Sequence, residues 1–187
     1  MTAEIPENRA ERKEKLEDNA RKFLVERIDP AFLEEHKKKP SKSSYALVVD
    51  WLKTSDDIET KVARKTFDNG EVEMLLISKV TTNGKRDSEK EAIDEERYQK
   101  LVRLSLHHLE KTRYELTYTQ NNISFSLKYD KFAGSEVCML EVDAPSEKER
   151  SDFISSDFPS ELAEVTKDVG FSGYRMVETL KTLDQTA

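Results

Sequence analysis

The sequence predicts an α+β protein that is mainly β, built as an eight-stranded antiparallel barrel with flanking helices. Three observations support this fold class. Apolar and polar residues alternate with a period of two over most of the chain, as in strands with one buried face. Turn signals separate neighbouring segments, most clearly at residues 68–70 and 121–122, where Asn and Gly tolerate positive φ. Strands of this number with few helices favour an antiparallel barrel over a parallel sheet.

The predicted elements follow one another along the chain. The strands cover residues 21–28, 45–53, 58–67, 71–80, 85–93, 111–120, 123–132 and 136–143. After the fifth strand the period changes, because residues 94–109 carry apolar side chains at helical spacing behind Asp94, a plausible N-cap. Two further helices are predicted over residues 146–154 and 173–183.

Length and composition predict one domain over residues 19–187 behind a charged extension at residues 1–18. The 187 residues carry 31 Lys and Arg against 38 Asp and Glu, a net charge of −7, which argues against a general nucleic-acid binder. No apolar run approaches the roughly 18 residues of a membrane-spanning helix, and the N-terminus lacks the apolar segment of a signal peptide. A cytoplasmic protein is therefore expected. Its single cysteine, Cys138, excludes an internal disulfide and is expected to be buried.

Three predicted strands carry polar or charged side chains at every second position. These faces hold Lys111, Arg113 and Glu115, then Ser126, Lys128 and Asp130, then Glu141 and Asp143. Alternation of this kind normally places the polar face in solvent. The alternative is a barrel whose outer face is covered by helices and whose charged lumen holds one small ligand. Such a lumen would suit a polyphosphate bridged by a divalent cation, and the alternation is compatible with both arrangements.

Five stretches of the chain resemble, in this order, motifs of the CYTH family, also called the triphosphate tunnel metalloenzymes. They are RKFLV at 21–25, LISK at 76–79, EKTRY at 110–114, YDKFAG at 129–134, and LEVD at 140–143 with EVT at 164–166. The resemblance extends over roughly residues 18–176. It implies a closed eight-stranded antiparallel tunnel formed by one domain.

The resemblance also implies a function. Members of the family bind a triphosphate in the tunnel through Lys and Arg, hold Mg²⁺ or Mn²⁺ on acidic side chains, and in most cases hydrolyse the triphosphate. The residues expected to bind phosphate are Lys22, Lys61, Lys79, Arg86, Lys111 and Arg113. The residues expected to hold the metal are Glu141, Asp143 and Asp18, and Lys22 is also expected to act in catalysis. The expected partner is a small-molecule triphosphate, bound by a monomer or a homodimer.

The sequence departs from the family pattern in its charged motifs. The first strand of the family reads E-x-E-x-K, whereas this chain has Asp18 and Ala20 at the two acidic positions. An R-x-R pair on the third strand becomes Lys61 and Ala63. On the fifth strand, the acidic residues that follow the arginine fall out of phase with it. These departures concern the chemistry of the tunnel and leave the predicted fold intact.

Two classes of function are therefore compatible with the sequence. A metal-dependent phosphohydrolase is favoured by the basic and acidic residues that the chain retains. A module that binds a phosphorylated ligand without turnover is favoured by Ala20 and Ala63. A nucleotide cyclase is a minor alternative within the first class. The hydrolase is the preferred interpretation.

Overall fold

The computed structural model describes residues 20–39, 41–55, 57–82 and 85–184, except for the side chains of residues 85, 86 and 184. The strands of this part are β1 (Arg21–Val25), β2 (Ser44–Thr54), β3 (Ile58–Phe67), β4 (Val72–Thr82), β5 (Lys85–Ala92), β6 (His107–Gln120), β7 (Ile123–Phe132), β8 (Cys138–Asp143) and β9 (Ala163–Glu164). The α-helices are α1 (Pro30–Glu35), α2 (Glu95–Val102), α3 (Glu147–Ser151) and α4 (Arg175–Asp184). No helix among the described residues is long and apolar enough to cross a membrane.

The strands form one antiparallel sheet in the order β5-β4-β3-β2-β6-β7-β8-β1-β9. The sheet curls, so that side chains from β1 to β8 line a single cavity. The predicted class, mainly β and antiparallel with flanking helices, is confirmed. The wall differs in two ways from a fully closed eight-stranded tunnel. A short ninth strand, β9, pairs with β1 at one edge of the sheet. The edge strands β5 and β9 are not hydrogen-bonded to each other within the described part of the chain.

Two hairpin turns are present where the residue types predict them. Gly70, between β3 and β4, has a φ of +82°, which glycine adopts without a steric penalty. Asn121 and Asn122, between β6 and β7, have φ values of +51° and +64°, as a two-residue type I′ turn requires. Because such turns fix the register of the flanking strands, the predicted bounds 58–67 and 123–132 agree with β3 and β7.

The predicted helix over residues 94–109 is too long. α2 begins after Asp94, whose carboxylate caps the first turn as predicted, but the helix has only eight residues. The N–H of Leu106 donates to the carbonyl of Trp51 at 2.7 Å, and from His107 onward the chain pairs with β2. The helical spacing of the apolar residues is therefore overridden by long-range strand pairing.

The first predicted strand also ends early, at Val25. The carboxylate of Asp29 accepts a hydrogen bond from the N–H of Ala31 at 2.7 Å, and Pro30 is the first residue of α1. An Asp N-cap followed by Pro is a strong signal for the start of a helix. The end of the predicted first strand is therefore wrong, and the residues that follow it form a short helix.

Apolar clusters pack on the two faces of the sheet. The fully buried strand residues of the outer cluster include Phe23, Leu116, Phe125, Leu127 and Leu140. Leu33 of α1 covers this cluster together with Phe153 and Phe158, which follow α3. The inner cluster joins apolar side chains of the concave face to Met176 and Leu180 of α4. The charged faces of the strands thus point into the cavity, which is the second of the two arrangements that the alternation allows.

Candidate functional site

The concave side of the sheet encloses a cavity of about 460 Å³, a volume typical of small-molecule sites. Its wall takes side chains from β1 to β8 and from the segment that leads into α4. The apolar part of the wall includes Leu47, Val49, Trp51, Leu109 and Met139. The rest of the wall is densely charged, so that the cavity can hold a ligand with a charged part and a less polar part.

Seven of the residues predicted from the sequence line this one cavity. They are Lys22, Lys61, Lys79, Lys111, Arg113, Glu141 and Asp143. Asp18 and the side chain of Arg86 lie outside the described residues. Ala20, which stands where the resemblance predicts a second glutamate, also lines the cavity. Side chains from five strands are therefore brought together as the sequence predicts, although separated by up to about 120 positions along the chain.

Further charged side chains complete the wall. The cations outside the set expected to bind phosphate are Lys65, Lys90 and Lys128, of which Lys128 belongs to a charged face that the alternation identifies. The added carboxylates are Glu59 and Glu115, with Asp130 directly behind the wall. The described lining thus holds eight cationic side chains and four carboxylates, in a chain with a net charge of −7. A local excess of positive charge within walls of low dielectric constant attracts anions.

These charges form two groups, carried by different strands. The balanced half, on β6, β7, β8 and β1, consists of Lys22, Lys111, Arg113 and Lys128 with Glu115, Asp130, Glu141 and Asp143. The cationic half, on β3, β4 and β5, consists of Lys61, Lys65, Lys79 and Lys90 with Glu59. Glu73, which lies 3.3 Å from Lys65, is a second carboxylate beside this half. In the order of the sheet, β2 lies between the two groups and supplies mainly apolar side chains to the wall. The positive excess of the cavity therefore lies in the cationic half.

Asp130 is the fully buried centre of the balanced half. Arg113 donates to it through Nε and through Nη2, each at 2.6 Å, and Nζ of Lys111 donates at 2.5 Å. Burial alone would raise the pKa of this carboxyl, but the two cations outweigh burial and lower the pKa of Asp130 to about 2. Asp130 is thus anionic at neutral pH and holds both cations in fixed positions at the cavity wall.

The two described residues that the resemblance assigns to a metal lie on one face of β8. Oε1 of Glu141 is 3.7 Å from Nη2 of Arg113, and its Oε2 is 3.8 Å from Nζ of Lys128. Oδ1 of Asp143 is 3.4 Å from Nη1 of Arg150. Burial opposes ionisation of Glu141, yet the neighbouring cations, Arg113 first among them, lower its pKa. Among the described residues no three His, Cys, Asp or Glu side chains are grouped so as to hold a metal ion, so this donor set does not fit a preformed metal centre.

In the cationic half, Nζ of Lys61 lies 2.8 Å from Oε1 of Glu59. The same ammonium group is 5.4 Å from the centre of the Trp51 ring, within the range of a cation–π interaction. Burial lowers the pKa of Lys61 to about 8; Glu59 opposes this change and the charge of Lys79 adds to it. An anion bound here would favour the protonated form of Lys61, so that anion binding and proton binding are coupled.

The segment before α4 connects the two halves. Nζ of Lys22 donates to Oγ of Ser172 at 2.7 Å and to the carbonyl of Phe171 at 3.2 Å. Gly173 follows with a φ of +55°, and a Cβ atom there would lie 2.6 Å from Oε2 of Glu59. A side chain at this position would displace Glu59, which explains why the chain has glycine where it passes the cavity.

Other charged residues near these motifs face away from the cavity. Arg64, adjacent to two cavity residues, lies 3.5 Å from Glu95 of α2, as its phase on β3 predicts. Glu91 forms an ion pair with Arg97 of α2, so it is out of phase with the cavity as expected. Cys138 is buried, as predicted. The strand phase therefore distinguishes the charged residues of the cavity from those of the outer surface.

Comparison with solved structures identifies proteins of similar fold. The chain is similar to the crystal structure of the inorganic triphosphatase NE1496, with a TM-score of 0.56 and 24% sequence identity, over 84% of this chain and 94% of that chain. A crystal structure of the hypothetical protein NE1496 gives a TM-score of 0.54 and 23% identity, over 84% and 95% of the two chains. No protein-family model and no curated protein sequence matches the chain. The likeness establishes that this chain has the tunnel-like fold of the triphosphatase structure.

Proposed function

We propose that the protein binds the triphosphate chain of a small molecule in this cavity and hydrolyses it. The observation that carries the proposal is the set of eight cationic side chains that line one cavity of an acidic protein. Guanidinium and ammonium groups bind phosphoryl oxygens through charge-assisted hydrogen bonds. A ligand with several adjacent negative charges is therefore the one that matches this wall.

The two halves would contribute differently to such a reaction. Arg113, held in place by the two hydrogen bonds that it donates to Asp130, needs little reorganisation when a phosphate arrives. Lys61 and Lys79 belong to the half with the positive excess, which would hold the most highly charged end of the ligand. Phosphoryl transfer depends mainly on positioning and on stabilising the charge that develops around the transferred group. Cations on both sides of one phosphoanhydride bond are suited to this task.

The likeness to the inorganic triphosphatase NE1496 supports both the ligand class and the reaction. The segments that resemble the triphosphate tunnel family support the same conclusion. Inorganic tripolyphosphate and organic or nucleoside triphosphates are the substrate class that we propose. The family resemblance implies Mg²⁺ or Mn²⁺ as a cofactor. Since Glu141 and Asp143 already have cationic neighbours, metal dependence rests on the resemblance alone.

Binding without turnover is a second function, favoured by a specific observation. Ala20 and Ala63 line the cavity where the resemblance predicts a glutamate and an arginine. A methyl group can neither activate water nor bind a phosphate oxygen. The remaining cations would still attract the anion, so that a loss of catalysis is compatible with retained affinity. The protein would then sense or sequester a phosphorylated ligand.

Phosphate release from tripolyphosphate and from ATP, in Mg²⁺, Mn²⁺ or EDTA, distinguishes the two functions when combined with thermal shifts for the same compounds. For a hydrolase we expect release that Lys79→Met strongly reduces. Lys148→Met, which changes a lysine on α3 whose side chain is 90% exposed, is the matched control and should leave release unchanged. A thermal shift without release would select the binding module, and the absence of both signals would contradict both functions.

A further inference from the structure

The acidic residues of the balanced half already have positive partners within the protein. Arg113 and Lys128 flank Glu141 at 3.7 and 3.8 Å. Asp143 is 3.4 Å from Arg150, whose side chain is only 5% exposed and therefore has little freedom to leave. Asp130 receives its hydrogen bonds from Arg113 and Lys111. Protein cations thus occupy the surroundings in which a metal ion would have to compete for the same oxygens.

The register of the strands strengthens this point. Glu141 on β8 is directly opposite Lys22 on β1 and Lys128 on β7. Neighbouring positions on one face of adjacent strands are close in space, so Glu141 stands in a row with a lysine on each side. A divalent cation placed there would meet the Lys128 ammonium and the Arg113 guanidinium, which lie 3.8 and 3.7 Å from the Glu141 carboxylate, and like charges at such distances repel strongly in a partly buried site.

Among the described residues, the position where the resemblance predicts a further acidic ligand holds no ligand atom. Ala20 lines the cavity beside the same row and contributes a methyl group. Mg²⁺ requires oxygen ligands in near-octahedral geometry, commonly one or two carboxylates with water and substrate phosphate. The carboxylates of the described residues already form ion pairs with cationic side chains of the protein. The arrangement is thus complementary to phosphate oxygens rather than to a metal ion.

We propose that the cavity binds its triphosphate as the free anion. Cationic side chains of the protein then neutralise the charge that a divalent metal ion neutralises in the family that the chain resembles. The inference rests on the proposed function, because it concerns the form in which the same ligand is recognised. A triphosphate that carries Mg²⁺ has a smaller negative charge than the free anion. Its attraction to the positive excess of the wall is correspondingly weaker. Mg²⁺ in solution therefore competes with the protein for the ligand.

Calorimetric titration of the full-length protein with sodium tripolyphosphate tests this inference. The titration is made in EDTA and in excess Mg²⁺ at the same ionic strength, since salt screens charge interactions. We expect binding in EDTA, with affinity about tenfold weaker in Mg²⁺, a difference of about 1.4 kcal/mol. Binding that is tighter in Mg²⁺, or that requires it, would overturn the inference and leave the proposed function standing. Absence of binding in both buffers would contradict the proposed function as well.

A pair of variants at one position sharpens the test. Ala20→Glu adds a carboxylate to the wall, and Ala20→Gln adds a neutral side chain of similar size, so that their difference reports charge alone. We expect the glutamate variant to bind tripolyphosphate about tenfold more weakly than the glutamine variant in EDTA, and Mg²⁺ to reduce this difference. Equal affinities of the two variants in both buffers would contradict a free anion held beside Ala20.

Discussion

The balanced half and the cationic half of the cavity differ in how their charges are paired. In the balanced half, Asp130 receives hydrogen bonds at 2.5–2.6 Å from Lys111 and Arg113, and Glu141 lies between further cations. In the cationic half, four lysines face two carboxylates, Glu59 in the wall and Glu73 beside Lys65, and burial lowers the pKa of Lys61. A paired buried cation is fixed in position, whereas an excess of cations attracts an anion. We infer that the first half sets geometry and the second supplies most of the attraction.

Removal of the central carboxylate should break the balanced half and have the largest effect. Asp130→Asn leaves two buried cations without their counter-ion, which costs about 3–5 kcal/mol in the free energy of unfolding. Urea denaturation measures this loss. Glu141→Gln is the matched control: its carboxylate makes longer contacts of 3.7 and 3.8 Å, so its loss should be clearly smaller. Equal losses of unfolding free energy for the two variants would contradict the conclusion that Asp130 is the main counter-ion of the balanced half.

Removal of a lysine from the cationic half should have the next largest effect, on ligand affinity. Lys61→Met or Lys79→Met should weaken tripolyphosphate binding by about 1.5–3 kcal/mol, the scale of a hydrogen bond to a charged group. Lys128→Met in the balanced half should weaken tripolyphosphate binding less, because the Lys128 side chain is 37% exposed and its charge is screened by solvent. Calorimetry compares the three variants. A larger effect of Lys128→Met would reverse the roles that we assign to the two halves.

The dependence of affinity on pH sharpens the same comparison. Because burial lowers the pKa of Lys61 to about 8, part of the positive excess is lost as the pH rises from 7 to 9, and we expect affinity to fall by up to about tenfold. The matched control is Lys61→Arg, whose guanidinium stays charged over this range. Because both proteins bind the same ligand, the effect of the ligand's own ionisation on affinity cancels in the difference between the two profiles. Parallel profiles for wild type and Lys61→Arg would contradict the titration of Lys61.

The stability of the ligand-free protein should depend on the same lysine with a defined sign. The pKa of Lys61 is about 8 in the folded protein and close to 10.4 in an unfolded chain. The unfolded state therefore binds more protons between these values, and stability should rise with pH over this window. Thermal unfolding of wild type and Lys61→Met between pH 7 and 10 measures the contribution. If the stability of the wild type rises with pH no more steeply than that of the variant, this contribution of Lys61 is excluded.

The elements that the sequence predicts best are those whose signals are local. The turn at Gly70 and the pair Asn121 and Asn122 determine where four strands meet, and the predicted strands agree there. The end of α2 could not be read in this way, because it depends on pairing between residues around Trp51 and His107 in distant segments. The start of α1 carried a local signal, Asp-Pro, that the alternation of its neighbours obscured.

The candidate site was predicted in part for a similar reason. Alternation identifies which residues share a face of one strand, and so Lys111 and Arg113 could be grouped. The pairing of Arg113 with Asp130 follows from the register between β6 and β7, which the turn at Asn121 and Asn122 fixes. Lys65 and Lys90 share the strand phase of the predicted residues Lys61 and Arg86, but whether the cavity extends to them depends on how the sheet curls. The missing information is thus three-dimensional: which charged faces meet across the curled sheet.

The smallest expected effect concerns a residue that points outward. Arg64 is next in sequence to Ala63 and Lys65 of the cavity but lies 3.5 Å from Glu95 of α2. Arg64→Ala should leave tripolyphosphate affinity unchanged and cost less than about 1 kcal/mol in stability, as is usual for an exposed ion pair. Calorimetry and urea denaturation check both statements. A loss of affinity comparable to that of Lys61→Met would show that Arg64 enters the cavity in place of the missing arginine.

We infer that the cationic half of this cavity supplies most of the affinity for the triphosphate. The most direct measurement is a calorimetric titration of tripolyphosphate into the wild-type protein and the Lys61→Met/Lys79→Met variant, after circular dichroism has shown that both are folded. We expect saturable binding with one ligand per chain for wild type and no measurable binding for the variant. Equal affinity and stoichiometry for the two proteins would contradict it.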